Sequence, residues 1–238
     1  MDNQFGRTIR LLGEEAMSEI ANKKVAVFGL GGVGGYVVEA LARSGVSNFV
    51  LVDNDTINQS NLNRQILATY STIGLKKVDV AKARILDINP SAQVTTYDMF
   101  YLPDNAQGID LDGVDYIVDA IDTMTAKLNL VERAKSQNIS IISCMGTGNK
   151  LDATAFKVAD IFETKQCPVA KVMRKELRDR GINSLTVVYS EEKPAKVCVD
   201  DSNNRHSPAS VAWTPSVAGL ILASKVILDL ANIKDKQN

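Results

Sequence analysis

Gly29-x-Gly31-Gly32-x-Gly34 carries the clearest chemistry in the chain. It follows the apolar run Lys24-Val-Ala-Val-Phe28 and opens an amphipathic stretch, so it sits where a strand turns into a helix. There the first glycine permits the turn, the second lets backbone approach a phosphate, and the third lets the helix pack on the strand. The free N–H groups of the helix start then face an anion. Asp53 closes the next β-branched run, where a carboxylate takes ribose hydroxyls. Glycines and acid together predict a nucleotide site. NAD, FAD and ATP all remain open at this point.

The following segment narrows the choice. Asp53-Asn-Asp55-Thr-Ile-Asn-Gln-Ser60-Asn61-Leu-Asn-Arg64-Gln65 ends beside a cation, and Gly74-Leu-Lys76-Lys77 brings more to a helix start. A hydride-transfer cofactor holds its diphosphate on the glycine loop and has no use for extra cations. A triphosphate that loses pyrophosphate needs them, because negative charge grows on the departing group. Asp122, in Asp119-Ala-Ile-Asp122-Thr, lies just past a central strand, where ligands of open α/β sheets bind. A carboxylate there suits Mg²⁺ bridging phosphate oxygens. Taken singly, these are ordinary surface charges and a helix cap. Their order along the chain points to ATP.

The elements that position these residues follow from hydrophobic period. Strands are expected at 24–28, 48–52, 93–97, 115–120 and 139–145, with helices from the glycine loop to about 43, at 76–88 and at 125–137. Such alternation predicts right-handed βαβ units in an α/β, Rossmann-like, mostly parallel doubly wound sheet. After Gly146 the texture changes. Strands at 156–161 and 185–189 flank a helix opening at Pro168, and a final apolar helix starts near Pro215. The expectation is one domain of 238 residues, with a nucleotide-binding half at about 1–148 and a distinct C-terminal, substrate-side half at about 149–238. The polar segment 190–208, which holds the single histidine His206, is expected to be a mobile loop over the site.

Composition closes several other routes. Lys and Arg number 27 against 28 Asp and Glu, so any nucleic-acid contact must come from a local basic patch. The start lacks the apolar core of a signal peptide, and the late apolar stretch carries Lys225 and Asp229, which argues against a membrane span. Three cysteines without a CxxC pair exclude a disulfide framework and a four-cysteine zinc site. A cytoplasmic protein without zinc is expected. Cys144 is expected in the core. Cys167, just before Pro168, is read as an incidental helix cap in preference to a nucleophile.

Gly29-x-Gly-Gly-x-Gly34, Asp53-x-Asp55, Ser60-Asn-Leu-Asn-Arg64-Gln65, Lys77 and Asp122 together resemble the adenylating family of ubiquitin-activating enzymes. Ser143-Cys-Met-Gly-Thr-Gly-Asn-Lys-Leu-Asp152, Val158-Ala-Asp-Ile161, Cys167-Pro-Val-Ala-Lys-Val-Met-Arg174 and Val187-Val-Tyr-Ser-Glu191 are similar to one branch, the tRNA threonylcarbamoyladenosine dehydratases. That resemblance implies ATP-dependent ring closure on tRNA through an acyl-adenylate, releasing AMP and pyrophosphate. By position, Asp53 would hold ribose and Asn61 would help place the nucleotide. Arg64 and Lys77 would neutralise the leaving phosphates, while Asp122 would hold Mg²⁺. Arg7, in Phe5-Gly-Arg7-Thr, matches an arginine that reaches a partner subunit's ATP, which implies a homodimer. Some family members bind a monovalent cation, whose ligands are unassigned here, and a cysteine desulfurase system is a candidate partner.

Three other readings compete with this one. The family also contains enzymes that adenylate the C-terminus of a ubiquitin-like sulfur carrier. The glycine loop alone would fit an NAD- or FAD-dependent oxidoreductase, or a nucleotide-binding scaffold without activity. A polyanionic substrate also gives meaning to the helix expected from Pro168 to Gly181. Val169, Val172, Met173 and Leu177 should face the core, leaving Lys171, Arg174, Lys175 and Arg178 outward as a tRNA contact.

Overall fold

Seven short runs rich in Val and Ile form one sheet in the computed structural model, which describes residues 4–198 and 208–233. The strands are β1 (Lys24–Phe28), β2 (Asn48–Val52), β3 (Gln93–Tyr97), β4 (Tyr116–Asp119), β5 (Ser140–Cys144), β6 (Phe156–Asp160) and β7 (Thr186–Ser190). Their spatial order is β3-β2-β1-β4-β5-β7-β6. All neighbours are parallel except β6, which runs antiparallel to β7 at the edge. The expected strands are therefore present, each within a residue or two of its expected bounds.

Alternation along each strand divides the apolar residues between two layers. Val25 and Val27 of β1 and Phe49 and Leu51 of β2 join the core beneath α2 (Glu14–Asn22), α3 (Gly34–Arg43), α4 (Lys77–Ile88) and α7 (Trp213–Leu230). Ala26, Phe28, Val50 and Val52 point the other way, into the core under α5 (Met124–Ser136) and α6 (Pro168–Asp179). Strands covered on both faces are what a near-continuous apolar run requires. The N-terminal segment, to which the sequence pattern assigns no element, folds into α1 (Gly6–Leu12) and α2, and α1 fully buries none of its residues.

Helix α7 is long and apolar enough to cross a membrane by composition. Half of it is buried in the protein, packed on α3 and the sheet, and its Lys225 pairs with Asp229 at 2.6 Å. It is built as a core helix. From β1 the chain winds outward to β2 and β3, and from β4 it winds the opposite way to β5. The carboxyl ends of β1 and β4 thus part at a switch point, which opens a crevice there.

Candidate functional site

The glycine loop emerges from β1 into that crevice under tight steric control. Gly29 has φ +87°, and a Cβ there would lie 2.7 Å from the Ala120 carbonyl oxygen. A Cβ on Gly34 would sit 1.8 Å from the Gly29 oxygen, so only glycine lets α3 start against the end of β1. A Cβ on Gly32 would meet Pro215 at 3.2 Å. At Gly31 the nearest atom is Gln65 Nε2 at 3.8 Å, so the loop is open on that side. Gly29, Gly31 and Gly32 line a cavity of about 870 Å³. Gly34 does not line it and serves the packing of α3.

Asp53, Asn61, Arg64, Lys77 and Asp122 line the same cavity, so the structure brings together the sequence-predicted nucleotide residues. Asp53 directly follows β2 with both oxygens engaged, accepting the Leu30 N–H at 2.6 Å and the Asp55 N–H at 2.8 Å. Burial pushes its carboxyl above the usual carboxylate range, against the pull of Lys77 and the two backbone donors. Lys77 Nζ lies 2.6 Å from Asp55 Oδ2 and 4.0 Å from Asp53 Oδ1. This cation is therefore held at the cavity wall by two carboxylates. Asn61 closes a short 3₁₀ turn, accepting the Asn58 N–H at 3.0 Å. Arg64 Nη1 donates to Ser60 O at 3.0 Å and Asn63 Oδ1 at 2.9 Å, contacts exposed enough to exchange for a phosphate.

Asp122 is exposed, and among the described residues its carboxylate has one hydrogen bond, from Thr123 Oγ1 at 3.5 Å. No cluster of three metal-ligating side chains exists among the described residues. A lone carboxylate beside a phosphate site fits Mg²⁺, which keeps its waters and takes few protein ligands. Arg7 stands exposed on α1 and is not among the residues lining its own chain's cavity.

Cys144 and Cys167 are buried and Cys198 is exposed. Burial pushes the Cys144 thiol up to about 12, so it stays protonated at neutral pH although it lines the cavity. Cys167 caps α6 without a side-chain hydrogen bond.

The basic face of α6 needs a correction. Arg174 is not a free outward cation: its Nη1 donates to Thr164 O at 3.1 Å and to the Thr164 hydroxyl. It clamps the 161–164 turn to the helix. Arg178 lies over the Phe162 ring at 5.2 Å, while Lys171 and Lys175 are exposed. Val172, expected in the core, is 47% exposed, and Ala170 takes the buried place with Met173 and Leu177. None of these four basic residues lines the cavity.

His206 and residues 199–207 lie outside the described residues. The described stem of the segment expected to be a loop is tied down beside the cavity. Ala195 N donates to Asn149 O at 2.7 Å, and the Glu192 carboxylate accepts from Leu151 N at 2.9 Å.

Sequence reasoning missed two features. Gln65 is 7% exposed, lines the cavity, and its Oε1 has no partner among the described residues. Lys127 also lines the cavity, yet it is 1% exposed and paired at 2.9 Å with Asp119, which is fully buried. The available signal was a charge on the apolar stripe of α5, flanked by Ala126, Leu130, Val131 and Ala134.

Comparison with known proteins places the whole chain. The profile of the ThiF family matches residues 5–238. The chain belongs to the ThiF family. Within it, this ThiF-family chain is 41% identical to the tRNA threonylcarbamoyladenosine dehydratase of Bacillus subtilis, across 99% of this chain and all of that one. Its fold is similar to the crystal structure of the Escherichia coli tRNA N6-threonylcarbamoyladenosine dehydratase in complex with AMP, with a TM-score of 0.89 and 32% identity over 96% and 94% of the two chains. The complex of that enzyme with ATP gives a TM-score of 0.87 at 30% identity, over 99% and 96%. An adenylyltransferase and sulfurtransferase of Vanderwaltozyma polyspora is 35% identical over 58% of this chain but only 31% of its own.

Proposed function

We propose that this protein is an ATP-dependent dehydratase that closes the threonylcarbamoyl side chain of a tRNA adenosine into a ring. The observation that carries this reading is similarity over the full length of a dehydratase, where the adenylyltransferase and sulfurtransferase aligns over little more than half the chain. The alternative, activation of a carrier protein's C-terminus, would use the same nucleotide half.

The cavity supports the chemistry stepwise. A carboxylate oxygen is too poor a leaving group to depart at neutral pH. The substrate carboxylate therefore attacks the α-phosphate of the co-substrate ATP, the bond to the β-phosphate breaks, and pyrophosphate departs. The neighbouring carbamoyl group next attacks the activated carbonyl, a proton is lost, and AMP leaves with the original carboxylate oxygen. The sum is one water removed from the substrate and ATP converted to AMP and pyrophosphate. In this reading Asp53 accepts ribose hydroxyls and the open side of Gly31 receives phosphate. Asn61 places the nucleotide, while Arg64 and Lys77 offset the charge that grows on pyrophosphate. Asp122 is the residue that would hold Mg²⁺, whose charge polarises the phosphates when bound.

Two assignments concern partners. Arg7, exposed on α1, would complete the site of a second subunit in a homodimer. Lys171, Lys175 and Arg178 would meet tRNA phosphates, with Arg174 as their structural anchor. The test is pyrophosphate release with tRNA carrying or lacking the threonylcarbamoyl group. Release only with the modified tRNA is expected. Equal release with both, or release on adding a ubiquitin-like carrier alone, overturns the reading.

A further inference from the structure

Among the described residues, the most deeply buried ion pair is used by none of the steps above. Asp119 closes β4 and has no exposure to solvent. Its Oδ2 accepts from Lys127 Nζ at 2.9 Å and from the Ser143 hydroxyl of the neighbouring β5. Its Oδ1 accepts the Ile121 N–H at 3.1 Å. Lys127 Nζ donates in turn to Ile121 O at 2.9 Å. Both polar groups of Ile121 are thus gripped by the two members of one buried ion pair.

Burying two charges carries a desolvation cost that often cancels their attraction, so such a pair is poor evidence for stability as such. What it supplies here is place. The 120–122 turn lies between two parts of the nucleotide site. On one side Ala120 O and Ile121 N approach within 2.7 and 3.2 Å of where a Gly29 Cβ would be. On the other side the next residue is Asp122, exposed at the cavity. Ala120 N also donates to Phe28 O at 2.8 Å, which joins the turn to the end of β1. A shift of this turn would move the carboxylate and the support of the glycine loop together.

We propose that the Asp119–Lys127 pair, braced by Ser143, is a positioning device that fixes Asp122 relative to the glycine loop. It couples the metal-side carboxylate to the phosphate cradle through the backbone of the turn. The proposal rests on the reading of this cavity as a site for ATP with Mg²⁺. Residues that orient a metal-side ligand typically change metal affinity about 10–100-fold when removed.

The test is equilibrium ATP binding with and without Mg²⁺, which needs no tRNA. The double variant Asp119→Asn/Lys127→Met removes both charges together, so no lone charge is left buried. It should raise the Mg²⁺ concentration giving half of its effect on ATP binding about 10-fold or more, a larger change than the loss of ATP affinity measured without Mg²⁺. Ser143→Ala keeps both charges and removes only the brace, so it covers the case in which the double variant fails to fold. It should shift the Mg²⁺ midpoint the same way by about threefold, the worth of one hydrogen bond. Unchanged midpoints in the folded variants overturn the proposal alone. Absence of ATP binding in the unaltered protein overturns the reading of the cavity, and the proposal with it.

Discussion

Gly31→Ala should separate nucleotide binding from folding, because Gly31 is the glycine of the loop with room for a methyl group. No atom lies closer than 3.8 Å to a Cβ built there, and its φ is not in the left-handed region. The added methyl therefore makes an ordinary contact with Gln65 and no clash. Replacing an unstrained glycine stabilises by about 0.4–1 kcal/mol through the unfolded chain, about 1–4 °C in Tm for a chain of this size. The same methyl enters the space assigned to phosphate. ATP at about 100 times its Kd stabilises the unaltered protein by about 2.7 kcal/mol, a rise in Tm of about 5–11 °C. If the methyl weakens binding at least tenfold, that rise shrinks by about 1.4 kcal/mol, or about 3–5 °C. Thermal denaturation with and without ATP reads both effects. A Gly31→Ala protein that keeps the full ATP-induced rise refutes the placement of phosphate on this loop. One whose Tm without ATP collapses refutes the steric reasoning.

Arg64→Ala should lower turnover about 10²-fold, near 3 kcal/mol, while Tm stays nearly unchanged because its present partners are local and exposed; steady-state pyrophosphate release checks this, and unchanged turnover removes Arg64 from the chemistry. Arg174→Ala should cost about 1–3 kcal/mol of stability by leaving the Thr164 carbonyl without this donor, measured by denaturant unfolding. Lys171→Ala and Lys175→Ala should instead each lower the slope of log tRNA affinity against log salt by about 1, and ATP affinity should not move. The Cys144 thiol titrates from an ordinary 9.0 to about 12 in the folded protein, so the folded state holds more protons between those values. Stability should fall as pH rises from about 9 toward about 12, and Cys144→Ala should flatten that limb of the unfolding profile. Mixing Arg7→Ala with Asp122→Ala subunits should restore turnover if Arg7 acts across a dimer, and none should return after proven exchange if it does not.

The legible parts of the site are those written in contiguous sequence. A β-branched run followed by closely spaced glycines has few ways to fold, and Gly34 leaves no room for any other side chain. Asp53 and Asp122 were legible for the same reason, since each ends or follows a strand whose apolar run is plain. The helical face of α6 was only half legible. Period assigns faces but not partners, so it could not foresee that Arg174 folds back onto a turn ten residues upstream. Lys127 and Asp119 escaped because their pairing crosses from α5 to β4, and a lone lysine on an apolar stripe looks the same whether it snorkels or is buried. Helix α1 escaped because none of its residues is fully buried, which leaves little apolar pattern to read.

The central claim is tested most directly by mass spectrometry of nucleosides from threonylcarbamoyl-modified tRNA incubated with the protein, ATP and Mg²⁺. The account predicts that the modified adenosine loses the mass of one water, with one AMP and one pyrophosphate formed per nucleoside converted. ATP consumed with the nucleoside mass unchanged would contradict it.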